Sequence, residues 1–94
     1  MKFSYTDRAK DDIEIAILWY EKQKKGLGFE FFDCIKESEQ RIKNQPKMYA
    51  VSYSFYRACV IKKFPFSIYY TIENEEEIVV HSVFDNRQNP KKKP

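Results

Sequence analysis

Phe66-Ser67-Ile68-Tyr69-Tyr70-Thr71-Ile72 is the stretch on which the reading of the fold turns. Phe66, Ile68, Tyr70 and Ile72 alternate with Ser67, Tyr69 and Thr71, the period of two that sends successive side chains to opposite faces of a β-strand. Pro65 sets a turn before the stretch, and the polar run Glu73 to Glu77, with Asn74, sets one after it. Outward on the N-terminal side, Tyr56, Ala58, Val60 and Phe64 alternate with Arg57, Cys59, Ile61 and Lys63, which predicts a strand over 56–64 with both faces partly covered. On the C-terminal side, Ile78 to Phe84 returns as a third strand. Three strands in series with short connections make an antiparallel meander.

Upstream of Pro46 the period changes to 3.6. Ala9, Ile13, Ala16, Ile17 and Tyr20 recur at helical spacing after Thr6 or Asp7 as cap, predicting a helix from about residue 7 to 24. Asp11, Asp12 and Glu14 near its start and Lys22, Lys24 and Lys25 near its end suit the helix dipole. Gly26-Leu27-Gly28 interrupts the pattern, Gly26 being free to take the left-handed conformation that ends a helix. A second helix follows, with Leu27, Phe31, Ile35 and Ile42 as its apolar stripe, Phe32 widening it, and Glu30, Lys36, Glu37, Glu39 and Arg41 on the solvent side. So short a connection makes the two helices an antiparallel hairpin. Lys2 to Thr6 alternates polar and aromatic residues and reads as a strand available to join the sheet. The expectation is an α+β fold of order β-α-α-β-β-β, one domain over residues 1–94 with a basic tail over about 87–94.

The composition fits that size. The chain has 94 residues, 43% of them apolar and 17% aromatic, so a core closes without metal or disulfide staples. Cys34 and Cys59 match neither a metal-ligand spacing nor a disulfide framework, which points to a reducing, cytoplasmic setting. The apolar run Ile15 to Tyr20 is far short of a membrane span, and no membrane partner is expected. Net charge is +3. The excess is C-terminal, where Arg87, Lys91, Lys92 and Lys93 are opposed by no acid over the last eight residues. Such a tail attracts an acidic peptide or a phosphate backbone, or is simply a solubilising terminus.

Several chemistries are excluded by what is missing. Gly26 and Gly28 are the only glycines, so there is no phosphate loop and no nucleophile elbow, and neither a metal nor another cofactor is expected. His81, the only histidine, edges the core or serves as a general base. Asp85, one apolar residue beyond the third strand's Val83, is a candidate base or a solvated strand-end carboxylate. Arg57 interrupts an apolar strand and has to be paired or turned to a polar surface, because a lone buried guanidinium is prohibitively costly. On strand alternation Lys63 shares its face, and Arg87 would join them if the tail folds across the sheet. Two readings stand. Arg57, Lys63 and Arg87 converge beside Tyr69 as an anion site, or Arg57 pairs with a helix carboxylate such as Asp11, Asp12 or Glu14 while the other two stay solvated. Tyr20 falls on the helical stripe and is expected to be buried; Trp19 beside it is left partly exposed, as an interface tryptophan would be.

Taken together, the order and spacing of Ala9, Asp12, Trp19-Tyr20, Gln23, Gly26-Leu27-Gly28, Phe32, Pro46, Tyr56-Arg57, Phe64-Pro65-Phe66, Ile68, Tyr70, Val83-Phe84 and Asn89-Pro90 resemble the RelE/ParE family of bacterial type II toxin–antitoxin toxins. The resemblance spans nearly the whole chain. It implies a helical hairpin packed on an antiparallel sheet, and a growth-arresting toxin neutralised by a cognate antitoxin that wraps its active surface. RelE-like members cut messenger RNA on the ribosome; ParE-like members act on DNA gyrase. Arg57 matches the family's strand arginine. The closing motif often carries a His followed by arginines, whereas this chain has Asp85, Arg87 and Gln88. The resemblance therefore implies a ParE-like toxin acting on gyrase, not itself catalytic. The alternatives are a ribosome-dependent, metal-independent endoribonuclease with Arg57, Lys63, Arg87 and Asp85 as its candidate residues, or a non-toxic peptide-binding domain of the same fold. Trp19, Arg57, Arg87, Lys91, Lys92 and Lys93 are the residues expected to bind target or antitoxin.

Overall fold

The hydroxyl of Thr6 opens the helical part of the chain. It accepts from the Ala9 amide at 3.1 Å, capping α1 (Asp7–Gln23), and donates to the His81 carbonyl at 3.1 Å, tying the helix start to the sheet. The structure, a computed structural model, describes residues 1–88 and 91. α1 is followed within three residues by α2 (Leu27–Asn44), and the reason for so tight a hairpin is local. The Glu21 carboxylate accepts from the amides of Gly26 and Gly28, each at 2.9 Å, and those two bonds hold its carboxyl below the usual range. Gly26 sits at φ +89°, which only glycine adopts without strain. At Gly28 a Cβ would lie 2.8 Å from the Ile17 carbonyl oxygen, so the two helices cross at a distance that excludes any other residue.

β1 (Lys2–Tyr5) precedes the hairpin, and β2 (Val51–Tyr53), β3 (Tyr56–Val60), β4 (Phe66–Glu73) and β5 (Glu77–Asp85) follow it. The sheet order is β1-β5-β4-β3-β2, antiparallel throughout except that β1 runs parallel to β5, with Phe3 opposite Ile78 and Tyr5 opposite Val80. The α+β class, the hairpin and the meander are as the periodicity implies. β2 adds a fourth antiparallel strand that three residues are too few to announce. The strand expected over 56–64 stops at Val60. Ile61 still donates to the Phe66 carbonyl at 3.0 Å, but Lys63 turns at φ +70° and Phe66 bonds back to the Phe64 carbonyl at 2.8 Å. That reversal carries Phe64 into the core, where its ring lies 4.8 Å from Tyr20 and 5.2 Å from Phe31.

Both helices pack on one face of the sheet. Ala9, Ala16 and Tyr20 of α1 and Phe31, Ile35 and Ile42 of α2 enclose Ile68, Tyr70, Ile78 and Val80 in a single apolar cluster. Two positions on α2 depart from expectation. Phe32 is left partly exposed, and Glu39, which the spacing assigns to solvent, is buried. Tyr5 explains the second, since its hydroxyl donates to Glu39 at 2.6 Å while Lys43 and Lys36 approach the same carboxylate at 3.1 and 3.5 Å. The opposite face carries an aromatic ladder running Tyr53, Tyr56, His81 on one rail and Tyr53, Tyr69, Phe84 on the other, with ring separations of 5.2 to 6.3 Å.

Candidate functional site: a ridge on α1 and the cleft beneath it

β1 ends opposite Val80, so the last part of β5 has no strand on its outer side. α1 runs alongside instead. Asp12 supplies what a strand would have supplied: its Oδ2 accepts from the Val83 amide at 3.0 Å and from the Ser82 hydroxyl at 3.1 Å. Helix and strand do not close on each other completely, and a cleft of about 500 Å³ remains between them, reaching from Arg8 past Ala16 and Trp19 to Asp85 and Arg87. Above it Ile15, Leu18 and Trp19 stand at i, i+3 and i+4 on the side of α1 turned from the core, each more than half exposed. Leu18 also borders a second, mainly apolar groove of about 400 Å³ between α1, α2 and Tyr5. α1 is therefore apolar on two sides, and only one of them meets the sheet.

Arg87 is held by its neighbour. It donates to Asp85 through its amide and Nε, both at 2.9 Å to Oδ1, and through Nη2 at 2.8 Å to Oδ2. The side-chain bond from Arg87, foremost, keeps the Asp85 carboxyl below its ordinary range and the guanidinium above its own. Asp85 is thus an ionised anchor for Arg87, not a proton donor at neutral pH.

The other candidates lie elsewhere. Arg57 reaches no helix carboxylate. Its Nη1 donates to the carbonyls of Tyr49 at 2.6 Å and Lys47 at 3.3 Å, fastening the segment between α2 and β2. Asp12, one of the partners weighed for it, is engaged at Ser82 and Val83. Lys63, off the strand at its left-handed turn, pairs with Glu30 of α2 at 3.3 Å, both side chains largely exposed. Arg57, Lys63 and Arg87 therefore bind three different partners and do not converge. Tyr69, beside which strand alternation would gather them, is buried under Tyr53 and Phe84. His81 falls at a bulge, where Tyr69 pairs with Ser82 and Tyr70 with Val80. Its Nε2 lies 2.8 Å from the Thr71 hydroxyl, its ring meets Tyr56 edge-on, and burial lowers its pKa. Cys34 and Cys59 are free and buried. Among the described residues no group of His, Cys, Asp or Glu is arranged to hold a metal, and no helix is long and apolar enough to cross a membrane. Lys91 is exposed; Lys92 and Lys93 lie outside the described residues.

The sequence model of "ParE toxin of type II toxin-antitoxin system, parDE" matches residues 3–90. The chain belongs to the ParE toxin family. Its fold agrees with that assignment. A solved structure, described as the chromosomal ParDE TA system from P. aeruginosa, superposes with a TM-score of 0.79, covering 90% of this chain and 95% of that one at 16% identity. No curated protein sequence matches. Within the ParE frame, Ile15, Leu18 and Arg8 are the cleft and ridge residues that inspection of the sequence passed over. The signal was present for the first two: they sit off the core stripe, and counted from Ile15 the positions 15, 18 and 19 fall at i, i+3 and i+4.

Proposed function

We propose that this chain is a growth-arresting toxin that acts by binding DNA gyrase, with the α1 ridge and the cleft beside β5 as its protein-binding surface, and that its cognate antitoxin neutralises it by covering that surface. The observation that carries the reading is the exposed Ile15-Leu18-Trp19 ridge standing over the cleft that holds Arg87. An exposed aromatic that a partner can bury, standing beside an arginine, is the composition of an interface hot spot. The dispersal of the cations supports the same choice. Metal-free RNA cleavage needs positive groups gathered on one phosphate and an acid to protonate the leaving oxygen. Here Arg57 is committed to backbone carbonyls, Lys63 to Glu30, and Arg87 to an ionised Asp85.

The deciding experiment pairs two assays on the purified chain. Inhibition of gyrase supercoiling or trapping of its cleaved-DNA complex is expected, reversed by the antitoxin and lost in Trp19→Ala. Translating ribosomes should show no cleavage of messenger RNA. Ribosome-dependent cleavage without any effect on gyrase would assign the chain to the nuclease branch, and normal growth at verified expression would make it a peptide-binding domain.

A further inference from the structure

β5 keeps one short piece of unpaired edge, and the parity of its hydrogen bonds locates it. Asn86 donates to the Pro65 carbonyl at 2.7 Å, so by the alternation of an antiparallel ladder Phe84 and Ser82 turn their amides and carbonyls toward β4, and Val83 and Asp85 turn theirs away from it. β1 reaches only to Val80, and no strand meets them there. The amides and carbonyls of both residues therefore face the cleft under α1. The outer two are taken. Asp12 accepts from the Val83 amide at 3.0 Å, and the Gln88 amide donates to the Asp85 carbonyl at 3.0 Å. Between them, the Val83 carbonyl and the Asp85 amide have no partner among the described residues.

An acceptor and a donor on one strand edge, either side of one residue, suit an extended ligand. A segment lying beside Phe84 offers, in either direction, one amide to Val83 and one carbonyl to Asp85, as a strand added to a sheet does. A helix has already spent such groups on itself. The pairing cannot lengthen, because Asp12 and Gln88 close the groups on either side. Side-chain direction follows from the pleat. Phe84 lies on the face away from the helices, its ring 6.3 Å from Tyr69, whereas Val83 belongs to the core. The ligand residue opposite Phe84 shares its face, and the residues before and after it point to α1, where Ile15, Ala16 and Trp19 wall the cleft. Apolar side chains suit those two positions, since Arg87 and Asp85 neutralise each other and Asp12 is engaged by β5.

We propose that an extended segment of the antitoxin lies beside Phe84, donating one backbone amide to the Val83 carbonyl and accepting from the Asp85 amide, with apolar residues flanking that point packed on Ile15 and Trp19. Asp12 and Gln88 are the stops that hold the pairing to two hydrogen bonds and fix its register. A segment that binds through its backbone needs that backbone free beforehand, the property of a chain that stays unfolded until it binds. The inference rests on the reading that the antitoxin covers this surface, and it names the mode of contact.

Nuclear magnetic resonance on the full-length chain, nitrogen-labelled, with its full-length carbon-labelled antitoxin tests it. A scalar coupling across the hydrogen bond is expected between the Asp85 amide nitrogen and one antitoxin backbone carbonyl, with none from the Val83 amide, which Asp12 holds. Exchange of the Asp85 amide should slow by about tenfold or more on binding. Replacing the Phe84–Asp85 amide by an ester, in a chain joined at Cys59 from two segments, removes this donor alone. It should weaken antitoxin binding roughly two- to tenfold with an unchanged circular dichroism spectrum. Antitoxin binding that depends on Trp19 while the Asp85 amide stays uncoupled and exchanges as before overturns this inference and leaves the surface reading standing. Binding indifferent to both Trp19→Ala and the ester overturns both. A coupling from Asp85 to a side-chain carbonyl, or a second coupling from the Val83 amide, refutes the two-bond strand.

Discussion

The clamp over residues 45–50 and the cleft beside α1 are each built on an arginine, and the partners of the two arginines differ in kind. In the clamp, Arg57 donates to the carbonyls of Lys47 and Tyr49, Tyr70 donates to the Pro46 carbonyl at 2.6 Å, and Arg41 donates to the Tyr49 hydroxyl at 3.0 Å. Three side chains thus hold one irregular segment whose own backbone finds few partners. In the cleft, Arg87 answers a single carboxylate two residues away, and most of its side chain is exposed. The first arrangement shapes the chain; the second leaves a cation facing solvent beside an apolar ridge. An arginine in an apolar strand is therefore no guide to function until its acceptors are known.

Substitutions that separate the two regions give the sharpest tests. Arg57→Ala strips two carbonyls of a charged donor, and a loss of about 1.5–3 kcal/mol in unfolding free energy is expected, read as a lower urea midpoint with toxicity falling only in proportion to the folded fraction. Abolished toxicity at an unchanged midpoint would move Arg57 from the clamp to the site. Trp19→Ala should do the reverse. Exposed as it is, its loss should shift stability by no more than about 0.5 kcal/mol, while affinity for the antitoxin falls by about 2 kcal/mol, roughly thirty-fold; calorimetric titration would show it, and unchanged affinity would remove the ridge from the interface.

How much of this was legible depended on the kind of signal. Periodicity reported α1, α2, β4 and β5 well because each is long enough for its pattern to repeat. It failed at residues 61–65, where Phe64 keeps the parity of Tyr56 and Val60 although Lys63 has already reversed the chain. Parity survives a turn that direction does not. Glu39 failed for another reason: its burial depends on Tyr5, 34 positions away, which no local window contains.

That buried carboxylate supplies a smaller, pH-dependent test. Burial pushes the Glu39 pKa up, but the hydrogen bonds from Tyr5 and Lys43 and the charges of Lys36 and Lys43 outweigh it, and the net shift is downward. A folded-state pKa below the unfolded value of about 4.3 stabilises the protein above that pH and ceases to as pH falls through the folded value. Glu39→Gln should accordingly flatten the loss of melting temperature between about pH 5 and pH 3. An acid transition identical to wild type would assign the pH dependence to other carboxylates. The smallest effect is expected at Lys63. Replacing it by glycine relieves a left-handed backbone and removes only an exposed pair with Glu30, so Lys63→Gly should stabilise by up to about 1 kcal/mol and leave toxicity intact. A loss of toxicity would return Lys63 to the site.

By itself the sequence determined the secondary structure of the long elements, the helical hairpin pinned by Gly26 and Gly28, and the family, because these rest on spacing and on residue types whose effect is local. The tertiary structure decided the partners of the charges. Asp12 completing the side of β5, Glu39 buried under Tyr5 and Arg57 fastening residues 45–50 instead of meeting a helix carboxylate all turn on which segments the fold brings together. A charge in the sequence states only that it needs a partner or water, and the fold settles which, since the desolvation that makes the choice costly exists only once the chain has packed.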